Sequence, residues 1–159
     1  METNDKLDLY KQYFETSSDY YLRQMELYAT NGRCSFSVAA FFLGLLWMAY
    51  RKMYSTILII IAIIFVQVML FEFLLAYNII SEDAYNVMDK LITLVASGII
   101  GAIANRLYIK QSIKTVERIV NSNASDEAIN EAIKLKGGTN WIAPIILVCI
   151  IVGLLILGV

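Results

Sequence analysis

Histidine is absent from the chain, and that absence removes much of ordinary site chemistry. Without an imidazole there is no Ser-His-Asp or Cys-His nucleophile arrangement. There is also no imidazole zinc site and no side chain whose unshifted titration falls near neutral pH. Cysteine is almost as scarce. Cys34 and Cys149 stand far apart without a CxxC pair, which argues against a disulfide framework; Cys149 is expected to be a buried, inert thiol. Charge is sparse as well: charged residues make up 17% of the chain and the net charge is −1, so no field draws nucleic acid. Neither GxxxxGK[ST] nor GxGxxG occurs, and Gly137-Gly138 reads as a helix stop. An enzyme is not expected, nor a metal or other cofactor. The first 35 residues are polar and charged, so no cleavable signal peptide is expected and the apolar segments themselves direct insertion.

Apolar residues fill the space. They make up 58% of the chain, against about 45–50% in an average soluble domain, and they come in blocks. Residues 57–75 are nearly continuous, and 141–159 carry no charge. A hydrocarbon core about 30 Å thick needs roughly 20 apolar residues of helix, and several such helices cannot all be buried inside so short a soluble chain. The expected fold is therefore all-α: an integral membrane helical bundle with three full spans, one short re-entrant or fourth spanning segment, and amphipathic cytoplasmic helices. Residues 1–35 form an amphipathic N-terminal region, with Leu7, Tyr10, Phe14, Tyr21, Met25 and Tyr28 on one face of a helix over 4–30. Asn31-Gly32 stops it. The membrane core is 36–109, made of a short apolar segment at 36–50, a span at 54–77, an acidic connector at 81–90 and a span at 91–109. A cytoplasmic helical linker follows at 110–138, in which Ser125 or Asp126 caps a short helix to Lys136. The last span is 139–159, capped by Thr139 or Asn140 and carrying Pro144 in its first turn.

Basic residues orient the bundle. If 36–50 dips in and returns, all of the 13 lysines and arginines except Lys90 fall on one side; if it crosses, they divide far more evenly. The polarised arrangement places the N-terminus in the cytoplasm and Val159 outside.

The run Ala39-Ala40-Phe41-Phe42-Leu43-Gly44-Leu45-Leu46-Trp47-Met48-Ala49-Tyr50-Arg51-Lys52-Met53-Tyr54 resembles the signature of a bacterial family of small multi-pass membrane proteins classed as a domain of unknown function. Asn105-Arg106-Leu107-Tyr108 is similar to a second element of that family. Ser37-Val38 stand where Asn-Trp is common there, and Leu45 where proline is common. The resemblance implies a multi-pass protein of the bacterial cytoplasmic membrane and brings no activity.

Four groups of residues are candidates for a role. Gln67 and Glu72 are the polar interruptions of the first long span, and an ionisable group there is a functional candidate by default; Lys90 is the expected ion-pair partner of Glu72. Gln67 and Glu72 are five residues apart, about 140° round a helix, which weakens a joint site. Trp47, Tyr50, Arg51, Lys52 and Tyr54, with Asn105 and Arg106, have the composition of an interfacial anchor or headgroup contact. Ser97, Gly98, Gly101 and Ala102 form a small-residue patch suited to close helix packing. Asn123-Ala124-Ser125 fits the N-glycosylation pattern, without consequence in a bacterial cytoplasmic loop. The expected partners are the lipid bilayer and a protein, either a different one or further copies of this chain. The leading reading is a non-enzymatic accessory or interaction protein of a membrane assembly. The runner-up is a homo-oligomeric channel or small transporter, ahead of a membrane-remodelling factor.

Overall fold

The computed structural model describes residues 3–122 and 124–157, and every regular element among them is a helix. The glycosylation acceptor Asn123 and the terminal Val159 lie outside the described residues. In chain order the helices are α1 (Thr3–Phe14), α2 (Ser18–Asn31), α3 (Val38–Leu43), α4 (Leu45–Tyr50), α5 (Tyr54–Ala76), α6 (Glu82–Val120), α7 (Asp126–Lys136) and α8 (Ile142–Leu157).

Many boundaries follow local chemistry. Gly32 adopts φ 68 and donates its N–H to Tyr28 O, closing α2. Ser81 and Ser125 accept from the amides of Ala84 and Ala128 and so start α6 and α7. Asn140 rather than Thr139 caps α8, its Oδ1 accepting from the amides of Ile142 and Ala143.

Two expectations are corrected, and a third segment gains detail. The N-terminal stretch is two helices, not one: Glu15 and Ser17 take φ 52 and φ 64, turning the chain between α1 and α2. The acidic stretch 81–90 is not a separate connector, because helix begins at Glu82 and runs unbroken to Val120. Residues 36–50 are two six-residue helices, joined at Gly44 with φ 50 and ψ −119. That conformation is open to glycine and strained for other residues, so the bend forms with Leu45 in place of proline.

The helices sort into a packed head and three apolar arms. The head comprises α1–α4, the C-terminal half of α6, and α7. Its core holds Tyr13, Phe14, Met48, Met53, Ala104, Tyr108, Ile109, Val116 and Ile133, all nearly inaccessible. The arms are α5, the N-terminal half of α6, and α8. α5 and α6 are long and apolar enough to cross a membrane; only 6% and 11% of their most apolar windows are buried. α5 spans about 34 Å and α6 about 58 Å, so α6 reaches well beyond one hydrocarbon core. α8 has 16 described residues, about 24 Å. Cys149, expected to be buried, is exposed on it, because no other helix covers that face. The α5–α6 hairpin turns at Asn78, which takes φ 54, and is pinned by Phe71 edge-on to Tyr85 at 5.4 Å.

Candidate functional site

Arg51 organises the head. It follows α4 directly and is 5% exposed. Its Nη1 donates to Phe14 O at 3.3 Å and its Nη2 to Thr16 O at 3.2 Å. These carbonyls lie at the break between α1 and α2, so the guanidinium binds the backbone where helical bonding is interrupted. Its carbon Cζ lies 4.5 Å from the ring centre of Tyr21, 5.3 Å from that of Tyr50 and 5.5 Å from that of Tyr108, within the range of cation–π attraction. Phe14, Tyr21 and Trp47 in turn surround Tyr108, with ring centres 5.8, 4.9 and 6.1 Å away. No aspartate or glutamate pairs with Arg51 among the described residues, and its Nε is buried without a partner.

Above Arg51 opens a cleft of about 890 Å³. Thr16, Ser17, Tyr20 and Ser35 supply polar lining groups, and Phe36, Leu43, Leu46, Trp47, Trp141 and Pro144 apolar ones; among the described residues none of those lining it is acidic. α3 is fixed beside α6 by Ser37 N–H donating to Gly101 O at 2.8 Å. Asn105 is wholly buried and donates to Tyr20 Oη at 2.7 Å and Ser35 O at 2.9 Å. The base of α8 is tied to α4 by Asn140 N–H on Tyr50 O at 2.9 Å and by Trp141 against Tyr50, ring centres 4.7 Å apart.

The residues expected at an interfacial anchor therefore separate. Trp47, Arg51 and Asn105 are interior, whereas Tyr54 and Arg106 are exposed. Tyr54 Oη accepts from Asn140. Lys52 adopts φ 55 and donates to Leu135 O and Gly137 O, placing its ammonium on the last carbonyls of α7, where the helix dipole favours a cation. Gln67 lies half-buried and Glu72 exposed on α5. Lys90 is exposed too, and no ion pair joins it to Glu72 among the described residues; they occupy separate helices with little mutual packing. Within the small-residue patch Gly101 alone is buried. Around Gly98 a Cβ would meet open space, Ser97 is half-buried and Ala102 is exposed.

Missing from the sequence expectations were the turn at 15–17 and the arginine cage it feeds. The run Glu15-Thr16-Ser17-Ser18 was the available signal, since Thr and Ser favour caps and turns over helix interiors.

Burial pushes the phenols of Tyr13 and Tyr21 above the ordinary 10.0. Gln111 and Thr115 offset part of this at Tyr13, and Arg51 part of it at Tyr21. A group with a raised value in the folded state stabilises the fold fully below its unfolded value, and that contribution is lost as pH rises through the folded one. The denaturant midpoint of the detergent-purified protein is therefore expected to fall as pH is raised beyond about 10, and to fall less steeply in Tyr13→Phe. A midpoint equally steep in that variant would clear Tyr13 of any part in the alkaline loss.

A family model described as protein of unknown function (DUF2628) matches residues 2–114, a stretch containing α1–α5, most of α6, Arg51 and its aromatic cage. No curated protein and no solved structure matches the chain.

Proposed function

This chain belongs to the DUF2628 family of proteins of unknown function, and from that premise we propose that it is a multi-pass protein of the bacterial cytoplasmic membrane. It acts there as a non-enzymatic accessory or interaction subunit of a membrane assembly. The observation that carries this reading is the contrast between head and arms. The head has a continuous aromatic and aliphatic core, whereas α5, the first half of α6, and α8 leave row upon row of Ile, Leu, Val and Phe uncovered. Apolar surface of that extent is far beyond the few hundred Å² usual on a soluble monomer, and lipid is the solvent that suits it. The two halves of 36–50 are about 9 Å long each and lie against α6 and α8, which supports a half-inserted segment over a fourth span. That packing and the lysine and arginine distribution support three spans with the basic head on the cytoplasmic side.

A packed head carried on a small membrane anchor suits binding to a partner. Weighing the intact assembly by mass spectrometry from native lipid discs tests this. A second protein in fixed stoichiometry is the expected result, and a lone monomer would remove the accessory reading. A closed ring of identical chains would favour the channel instead. Two features support that alternative: Gln67 and Glu72 on the uncovered α5, and the open space beside Gly98. Glu72→Gln would then be the first variant for flux measurements.

A further inference from the structure

We propose that the cleft above Arg51 is a binding site for one anionic phospholipid of the surrounding bilayer, headgroup towards Arg51 and acyl chains along α3 and α8. The inference rests on the membrane reading above. Arg51, 5% exposed, with no carboxylate partner among the described residues and an unsatisfied Nε, is an uncompensated charge in the lining of a cavity. Two backbone carbonyls and three aromatic faces hold the side chain in place, but none of them carries the opposite charge. An oxyanion entering the cleft supplies it, and among the described residues no acid lines the cleft.

The mixed lining of the cleft suits an amphiphile better than a small soluble anion. Hydroxyls of Ser17, Tyr20 and Ser35 line it together with apolar side chains, Leu43, Trp141 and Pro144 among them. Trp141 immediately precedes α8, Pro144 lies in its first turn, and Leu43 is an exposed apolar residue of α3. Chains leaving the cleft therefore pass directly onto the uncovered apolar surface of α8. A tyrosine and tryptophan rim around a fixed cation is the chemistry found at headgroup depth.

The protein carries its own reporter, because its two tryptophans, Trp47 and Trp141, both line this cleft. Tryptophan quenching would be followed in vesicles of phosphatidylcholine containing increasing fractions of chain-brominated phosphatidylglycerol or chain-brominated phosphatidylcholine. Half-quenching is expected at a roughly fivefold lower fraction of the anionic lipid, the scale of one basic residue near a charged membrane surface. Val38→Glu puts an acid at an exposed position of the cleft wall without disturbing the core, and is expected to abolish the preference. Arg51→Gln should do the same, judged only if circular dichroism shows it folded. Equal quenching by the two lipids would overturn the cleft proposal while leaving the membrane reading intact, as would a preference undiminished in Val38→Glu. Quenching by neither lipid would overturn the membrane reading itself. Full displacement of the lipid by glycerol 3-phosphate would assign the site to a soluble anion and also end the proposal.

Discussion

Arg51→Ala lowers the stability of the head by roughly 3 kcal/mol, because it leaves two backbone carbonyls without their donors and removes a cation from three aromatic faces. The effect concentrates at the α1–α2 turn. Phe14 O and Thr16 O are the acceptors, and the turn already holds two non-glycine residues at positive φ, a conformation that costs about 1–2 kcal/mol per residue. Arg51 offsets that strain, so its loss favours re-extension of α1 or fraying of α2. Opposing this is the desolvation of the guanidinium, whose Nε has no partner, and removing it returns some free energy. Two charge-assisted hydrogen bonds at about 1.5–3 kcal/mol each outweigh that return. A series separates the contributions: lysine keeps the charge without the planar fork, and methionine keeps volume without charge. The order expected in denaturant unfolding of delipidated protein is arginine, then lysine, then methionine, then alanine. Hydrogen exchange should show residues 13–21 losing protection first. A methionine variant as stable as the parent chain would mean that burying the charge costs as much as its bonds return.

The same turn marks where sequence reading stops. Helix ends with a local chemical cause were legible: Gly32, Ser125, Gly137 and the Asn140 cap each act within a few residues of themselves. So were the long apolar blocks, since composition alone identifies α5. The interior of the head was not. An arginine directly after an apolar block looks the same in sequence whether it snorkels to an interface or is enclosed by helices from elsewhere in the chain. What encloses Arg51 comes from α1, α2 and the middle of α6, up to 57 residues away at Tyr108. Asn105 gave the same ambiguity: amid apolar neighbours it suggested an interface, yet it is wholly buried and bridges Tyr20 and Ser35. The tyrosine-rich arm was visible as a packing stripe, while the residue it packs around was not. Gly101 was picked out with three small neighbours by spacing, and the arrival of Phe36 and Phe41 of the α3 region over it distinguishes it from Gly98.

Gly137→Ala is expected to destabilise the protein by about 3 kcal/mol, near the top of the range for overpacking a filled site, although the torsion there suits any residue. The chain has φ −85 and ψ −159 at this position, so the penalty comes from contact alone. A Cβ would sit 2.6 Å from Tyr13 O, 2.7 Å from Tyr13 Cα and 2.9 Å from Ile133 O. All three are backbone atoms, so no rotamer change relieves the clash, and α1 and α7 must separate. Separation breaks the 2.7 Å bond from Gly138 N–H to Tyr13 O and weakens the seat of Lys52 on the α7 carbonyls. It also loosens the strand of residues that carries Thr139 N–H onto Glu15 at 3.0 Å. Gly32→Ala is the matched control. Its φ of 68 strains alanine, but nothing lies within 4 Å of the added Cβ, so a loss of only about 1 kcal/mol is expected there. Comparing the two in denaturant unfolding separates tertiary contact from backbone torsion. Equal losses would show that α7 gives way without cost and that the head does not depend on the α1–α7 junction. A threefold larger loss at Gly137, with exchange rising together in 9–17 and 126–140, would establish that junction as the point where the two ends of the head are held together.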